Sequence, residues 1–361
     1  MVVRPAEGGM RRHVTVLMER LPAQGFDVTL CAPPDFTLDR RDLNPPRIDF
    51  DISAQTHPIR DLMAAYNLSR ELRGSSDLVH AHGLRAAAIA VPAAARARVP
   101  SIVTLHNMAP EMDGLSAAVV SKLLRKADRV VAVSRAQQKS FDFAEIPDRH
   151  FVVIPNGVEP GIAIDATQRR QARERLGIPD SDGVIVAIGR LAPEKGIDLL
   201  ISAFSAILNA LPNALLILVG SGQSAKSLQL FASVKAPNRI RFEGHIPNPL
   251  IYYAAADIVA VPSRSEGQGI TALEAMSHGL PVVASNTGGL AESITDGVTG
   301  RLFPEGNAHV LTRTLTELLR EPAERERLGK AARERVLKTY STDASIQQIA
   351  KLYHEILDNR K

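Results

Sequence analysis

"DIVAVPSRSEGQGITALEAMSHGLPVVAS", residues 257–285, reads as a strand, a glycine loop, a helix and a second strand in succession. "IVAV" and "VVA" are short β-branched and small apolar runs bounded by proline or serine. Such runs suit strands buried on both faces of a sheet. Gly267 and Gly269 free the loop between them, and the helical pattern starts near Ile270. A strand returned to its neighbour through a helix is the repeating unit of a parallel sheet. Glu266 and Glu274 are unexpected in that unit, because the helix otherwise carries mostly small or apolar residues.

The same alternation runs along the whole chain. Strands are expected at 28–31, 78–80, 102–105, 130–133 and 151–154, with helical patterns such as "HVTVLMERLPAQG" and "SAAVVSKLLRKA" between them. The second half continues with "GVIVAIG", "ALLILVG", "IRFEG", "DIVAVPS", "PVVAS" and "GRLFP". At 361 residues the chain is too long for one ordinary core. The fold class is therefore α/β, two Rossmann-like doubly wound domains facing a cleft. "IPNGVEPG", residues 154–161, breaks the pattern and marks the boundary, giving domains over 1–157 and 158–341. The final helix, from about 342, repeats Ile346, Ile349, Leu352, Tyr353 and Ile356 at helical spacing. That face needs a partner, and the segment 342–361 is expected to return to the first domain. "MVVRPAEGGMRRHV" leaves only Val2 and Val3 for a first strand ahead of its glycine turn.

Composition narrows the function. Hydrophobic residues make up 45% and charged residues 23%, a globular balance. A single cysteine, Cys31, excludes an internal disulfide framework and a cysteine zinc site, so a cytoplasmic setting is expected. No apolar run approaches the roughly 20 residues of a membrane span, which leaves a soluble protein or one resting on the inner membrane face. A net charge of +4 with no tryptophan and 4% aromatic residues argues against nucleic acid as a partner. No dedicated metal site and no cofactor are expected.

Chemistry in parallel sheets gathers at the carboxyl ends of strands, where loops lead into helix N-termini. Gly8 and Gly9 let backbone amides approach an anion there, or simply make a tight turn. In "GRLAPEKG", Arg190 and Lys195 leave a strand end together and suit a diphosphate, the alternative being a solvated basic loop. The amides from Gly267 through Gln268 and Gly269 to Ile270 favour a negative or hydroxylated ligand. Glu274 suits two vicinal hydroxyls such as those of a ribose, against the plainer reading of an exposed helix residue. For Glu266 the plainer reading is complementation of the helix dipole. His82 and His106 both stand at strand ends, and His106 is the better functional candidate. "LLILVGSGQSAKSL" fits a dinucleotide fingerprint through Gly220, Gly222 and Ala225, with Glu243 downstream. It follows "VIVAIGR" rather than opening its domain, so it reads as a tight turn whose glycines allow close helix packing. A nicotinamide oxidoreductase remains the alternative.

Together these segments resemble the retaining GT-B glycosyltransferases of the family-4 type, also called glycosyl transferases group 1. The resemblance runs from "EGGMRRHV" through "VTLHNM", "VIPNGV", "GRLAPEKGIDLLISAF" and "LVGSGQ" to "SEGQGITALEAMSHGLPVVAS" and "GGLAESITDGVTGRLF". It implies an enzyme that moves a hexose from a nucleotide-diphosphate sugar to a hydroxyl acceptor, with retention and without metal. It further implies that Arg190 and Lys195 hold the diphosphate and Glu274 the ribose. Glu266 with the amides of Gly267 to Ile270 would hold the donor sugar. Gly9 would close over the diphosphate from the first domain, and His106 would contact the sugar near its reacting carbon. Gln268 stands where that family usually has an aromatic or aliphatic residue. Backbone groups around His245 and Ile246 can satisfy uracil, and "PNP" after them offers no acid for guanine, which favours a UDP-sugar over a GDP-sugar. A sugar-nucleotide epimerase or hydrolase shares the two-domain fold and stays open as an alternative. The acceptor is a sugar, small molecule or lipid. "SKLLRKADR", with Lys122, Arg125, Lys126 and Arg129 around an apolar stripe, suggests an anionic lipid surface, or simply a helix packed on its own sheet.

Overall fold

The computed structural model describes residues 1–5, 8–40, 42–50, 52 and 57–359. Ala6 and Glu7 of the N-terminal glycine turn lie outside these residues. The chain divides into two compact units, Met1–Gly157 with Thr342–Lys361, and Val158–Ser341.

The first unit is built on β1 (Val2–Val3), β2 (Leu30–Ala32), β3 (Arg47–Asp49), β4 (Val79–His82), β5 (Ser101–Thr104), β6 (Arg129–Ala132) and β7 (Phe151–Val153). They form one parallel sheet in the order β3-β2-β1-β4-β5-β6-β7. Its helices are α1 (Gly9–Arg20), α2 (Pro58–Leu72), α3 (Leu84–Ala97), α4 (Gly114–Lys126) and the short α5 (Arg135–Ser140). Two residues suffice for β1, because Val2 registers with Cys31 on one side and Ala81 on the other, and Val3 with His82. Strand β3 escapes sequence pattern: Arg47 and Asp49 are exposed and only Ile48 turns inward, as an edge strand allows. β4 runs two residues past its expected end, because both His80 and His82 are buried.

The second unit has β8 (Val184–Ile188), β9 (Leu215–Val219), β10 (Ile240–Gly244), β11 (Ile258–Val261), β12 (Val282–Ser285) and β13 (Arg301–Phe303), in the order β10-β9-β8-β11-β12-β13 and again parallel. Its helices are α6 (Ala166–Leu176), α7 (Ile197–Ile207), α8 (Ala225–Lys235), α9 (Leu250–Ala255), α10 (Ile270–Ser277), α11 (Leu290–Ser293), α12 (Ala308–Arg320) and α13 (Pro322–Thr339). The central strands are buried on both faces, and separate apolar clusters fill the space above and below the sheet. The last helix, α14 (Thr342–Asp358), belongs to the first unit. Its Ile346, Ile349, Leu352, Tyr353 and Ile356 pack with Leu17 and Leu21 from the end of α1, Ile102 of β5 and Val131 of β6. Among the described residues no helix is long and apolar enough to cross a membrane.

Each sheet reverses its order of growth once, beside β1 in the first unit and beside β8 in the second. At such a switch point the loops after two adjacent strands diverge and leave a crevice at their carboxyl ends. The opposite end of the second sheet is sealed electrostatically. Buried Asp257, just before β11, accepts from the Arg173 guanidinium at 2.7 Å and from the Val184 amide at 2.8 Å. Removing one member of a buried pair leaves the other charge uncompensated. Asp257→Ala is expected to cost about 3–5 kcal/mol of stability, read as a lower urea midpoint with unchanged slope; a midpoint within error of wild type would refute this account of the seal.

Candidate functional site

In the second unit the switch point lies between β8 and β11. The β8 loop runs from Gly189 through the helical turn Pro193–Lys195 to Gly196, which precedes α7. The β11 loop runs from Pro262 to Gly269, which precedes α10. The loops are bound backbone to backbone. Gly196 has φ 64° and sits so close to the Pro262 carbonyl that any Cβ would collide with it. Arg264 reinforces the contact: its amide donates to the Glu194 carbonyl at 2.8 Å, and its guanidinium clamps Asp198 at 2.6 and 2.9 Å.

This framework brings two expected residues together. Lys195 Nζ lies 2.6 Å from Glu266 Oε2, with both side chains about three-quarters or more buried, at 26% and 16% exposure. Ser263 Oγ donates to the same oxygen at 3.2 Å. Both contacts fall on Oε2, and no partner for Oε1 stands among the described residues. The loop after β12 supports Glu266 from behind: the Gly289 amide donates to its carbonyl at 3.0 Å, and Gly288 and Gly289 leave no room for a Cβ against the carbonyls of Glu266 and Gly267. Gly267 is buried, Gly269 takes φ 88° before α10, and Ile270 opens that helix. Gln268 turns into the protein at 4% exposure, and its carbonyl accepts from Ser293 Oγ at 3.3 Å.

Other expected residues are placed apart from that pair. Arg190 is exposed and binds Glu194 at 2.6 Å rather than Glu266. Glu274, one turn into α10, accepts from the Tyr253 hydroxyl of α9 at 2.9 Å. Ile246, just past β10, packs half-buried against the core. The dinucleotide-like turn has a different role from the helix packing expected for it. It follows β9, and a Cβ on Gly220 or Gly222 would strike the carbonyls of Gly189 and Leu191 in the β8 loop. Its glycines thus press the turn against the Arg190 loop, and the downstream Glu243 accepts from Tyr252 at 3.1 Å. Tyr253 and Ser263 escaped sequence reading. Ser263 stands only three residues before Glu266, whereas nothing local marks Tyr253.

In the first unit Gly8, with φ 65°, caps α1, and Gly9 is its first residue. His106, just past β5, belongs to a cluster of four imidazoles with His13 of α1 and His80 and His82 of β4. His82 Nδ1 and His106 Nε2 are 3.2 Å apart. His80 is bound on both sides, by the Tyr353 hydroxyl and the Thr104 hydroxyl, each at 2.6 Å. Burial holds His13 down at about 4 and, with the neighbouring imidazoles, holds His80, His82 and His106 well below the ordinary histidine value. Among the described residues no group of three or more His, Cys, Asp or Glu is placed to hold a metal ion. His13 went unnoticed in the sequence because it interrupts an apolar helix face and looks like a boundary residue.

The basic stretch after Ser121 is corrected in one respect: Lys122, Arg125 and Lys126 are exposed on α4, but Arg129 opens β6 and is not part of that helix face. The outward apolar residues of α4 are Leu115 and Val119. A longer apolar row lies on α2, where Ile59, Leu62, Met63 and Tyr66 are all exposed at helical spacing.

Known proteins share the family and the architecture. Residues 168–335 match the family model of glycosyl transferases group 1, and residues 7–161 match that of glycosyltransferase family 4. A GDP-mannose-dependent alpha-(1-6)-phosphatidylinositol monomannoside mannosyltransferase of Mycolicibacterium smegmatis is 31% identical over 275 residues, covering 72% of each chain. A D-inositol 3-phosphate glycosyltransferase of Thermomonospora curvata is 29% identical, covering 96% of this chain and 90% of its own. Among solved structures, Anabaena HepE in complex with UDP and glucose superposes with a TM-score of 0.86 at 23% identity, over 98% of both chains. WaaG, a glycosyltransferase involved in lipopolysaccharide biosynthesis, gives 0.78 at 19% identity over 98% of both.

The imidazole cluster makes stability depend on pH. A folded-state value below the unfolded value means that the unfolded chain takes up protons the native state refuses. The stability is complete above about pH 6.5, the unfolded histidine value, and is lost as pH falls through that value toward about 4, the folded value of His13. His13, His80 and His82 each contribute up to about 1.4 kcal/mol per pH unit in that window. The urea midpoint is expected to fall steeply between about pH 6.5 and 5, and less steeply in His13→Phe; equal slopes in the two proteins would remove His13 from the cluster's titration.

Proposed function

The chain belongs to the glycosyl transferases group 1, with their two-domain GT-B fold, and on that footing we propose that it is a retaining, metal-independent hexosyltransferase using a UDP-sugar. The observation that carries the reading is the Lys195–Glu266 pair at the β8–β11 switch point. A sugar nucleotide presents hydroxyls next to a diphosphate, and the pair offers a carboxylate next to a cation. Glu266 Oε1 is open to a sugar hydroxyl while Oε2 stays anchored by Lys195 and Ser263. An ammonium has three hydrogens, so Lys195 can hold Glu266 and still donate to a phosphate oxygen. Arg190 adds a second cation once it leaves Glu194, and the first-turn amides of α10 add partial positive charge. Glu274, oriented by Tyr253, takes the ribose hydroxyls.

In the reaction, the bond from the anomeric carbon to the diphosphate breaks and the sugar becomes oxocarbenium-like. The negative charge growing on the leaving phosphate is met by Lys195, Arg190 and the α10 amides. The acceptor hydroxyl attacks the same face and gives its proton to the departing phosphate, which accounts for retention without an enzymic nucleophile. His106 serves as a hydrogen-bonding group for the substrate. UDP is favoured because Glu243, the acid at the end of β10, is already engaged by Tyr252, whereas uracil needs only backbone groups such as those near Ile246. A guanosine donor is the competing reading, since the mycolicibacterial relative is GDP-mannose-dependent.

A ligand that binds only the native state raises its melting temperature. UDP and UDP-sugars are expected to do so more than GDP, ADP or NAD. Lys195→Ala should lower kcat by about 10²–10³-fold, and Glu274→Ala should weaken nucleotide binding by about tenfold. Wild-type rates and affinities in both variants would sink the assignment; stabilisation by GDP alone would change the base and leave the reaction class standing.

A lipid acceptor accounts for the apolar row of α2 and the cations of α4. Ile59, Leu62 and Met63 are each more than three-fifths exposed, on a unit that also exposes Lys122, Arg125 and Lys126. An apolar row on a unit that also exposes cations suits insertion at an anionic lipid surface. Co-flotation with phosphatidylserine vesicles, absent with phosphatidylcholine alone and lost in Leu62→Glu, is the expected result. Equal behaviour with both lipids, or none, would point to a water-soluble acceptor.

A further inference from the structure

The four clustered imidazoles of the first unit determine more than the position of His106. Of the four rings, His13, His80 and His82 are buried and His106 is half-buried. A neutral imidazole carries one N–H, so a hydrogen bond between two ring nitrogens needs a proton on one nitrogen and a lone pair on the other. The 3.2 Å contact between His82 Nδ1 and His106 Nε2 therefore has two possible assignments. In the first, His82 donates from Nδ1 into the lone pair of His106 Nε2. In the second, His106 donates from Nε2 and the proton of His82 sits on its Nε2.

The far nitrogen of His82 separates them. Its Nε2 is buried and has no hydrogen-bond partner among the described residues. The second assignment would leave an N–H there with no acceptor, the kind of orphaned buried donor that native structures rarely keep. His13 does not relieve it. That ring crosses His82 and His106 edge-on at centroid distances of 5.6 and 5.3 Å, hydrogen-bonds to neither, and has its own Nε2 buried without a partner among the described residues. His80 stacks on His82 at 4.3 Å with both of its nitrogens already bound to hydroxyls. The first assignment places the only N–H of His82 in the one hydrogen bond available to it.

From this geometry we infer that His82 is a positioning residue that locks His106 as the Nδ1–H tautomer. His106 is then a neutral ring with one N–H to donate and no free lone pair with which to act as a base. His106 has Nε2 occupied as an acceptor, so its single proton lies on Nδ1. Burial first, and then the neighbouring imidazoles with Arg4 near His106, disfavour a proton on either ring and keep the pair neutral near physiological pH. The catalytic meaning rests on the glycosyltransferase reading above: a ring that donates cannot take the acceptor's proton, which leaves the departing phosphate to receive it. The tautomer itself does not depend on that reading.

Long-range proton–nitrogen NMR of protein labelled with nitrogen-15 at histidine reads the protonated nitrogen of each neutral ring, with the His106 signals assigned by their loss in His106→Gln. The expected spectrum has His106 protonated at Nδ1 and bare at Nε2 near neutral pH. A proton on Nε2 overturns the inference. Kinetics supply the second readout. His82→Leu should lower kcat by about tenfold, the worth of one hydrogen bond, with KM for the donor changed less than about twofold. His82→Asn keeps an amide donor near the Nδ1 position and should restore kcat to within about threefold of wild type. Wild-type kcat in His82→Leu, or an Asn variant as slow as the Leu variant, would overturn the positioning role. If His82→Leu does not fold, the wild-type spectrum still decides; if no sugar nucleotide is turned over, the functional reading falls while the spectrum tests the tautomer alone.

Discussion

The second unit depends on a steric constraint: the loops after β8 and β11 approach so closely that the Cα of Gly196 rests against the Pro262 carbonyl. Any other residue would need both a left-handed backbone that L side chains rarely adopt and space that does not exist. This contact carries no chemistry, yet it fixes where Lys195 and Glu266 can reach. Lys195 immediately precedes Gly196, and Glu266 lies four residues beyond Pro262, so locking the two backbones brings the side chains to 2.6 Å. Gly288 and Gly289 repeat the device from the other side, and Gly220 and Gly222 press on the β8 loop. The glycines around this site act mainly as places where one main chain touches another.

The two units use the same sheet reversal for different electrostatics. In the second unit the crevice edge carries full charges, with cations and carboxylates paired across it. In the first unit the equivalent edge carries imidazoles held neutral by burial. Full charges suit a ligand that brings its own charge, such as a diphosphate. Neutral rings suit hydroxyls, which need donors and acceptors but would be poorly served by a bare charge in a partly dry site.

Much of this was legible in the sequence because buried parallel strands leave a strong signal. The six runs of the second half correspond to β8 through β13, and the helix face from Ile346 to Ile356 is buried against α1 and the first sheet. The signal failed where burial and polarity part company. β4 extends through His80 and His82 because hydroxyls from Tyr353 and Thr104 satisfy the first of these rings, and that compensation comes from residues 273 and 24 positions away. Edge strand β3 failed for the opposite reason, since its exposed Arg47 and Asp49 look like loop. At the site, Glu266 and Glu274 stood out as charges among small and apolar residues, and Lys195 as a cation leaving a strand end. Their pairings did not: Lys195 could be placed at a strand end, but only the fold shows that it binds Glu266 while Arg190 turns to Glu194.

On the proposed reading, that pairing changes what a diphosphate would have to do on arrival. Isolated cations converging on one point would repel one another and would have to be held apart from solvent at a cost. Here each cation has a carboxylate of its own, Lys195 on Glu266 and Arg190 on Glu194, so the site is close to neutral before ligand enters. The two pairs differ in how easily they yield. Arg190 is 59% exposed and its pair is of the surface kind, which contributes little to stability and exchanges readily. Lys195 and Glu266 are more enclosed and share Ser263, so that pair is the costlier of the two to open. On the proposed reading, a diphosphate would recruit Arg190 by displacing Glu194, and Lys195 with Glu266 still attached. The ammonium of Lys195 would then be oriented in advance by Glu266, and the freedom to adapt to a phosphate would lie with the more exposed Arg190.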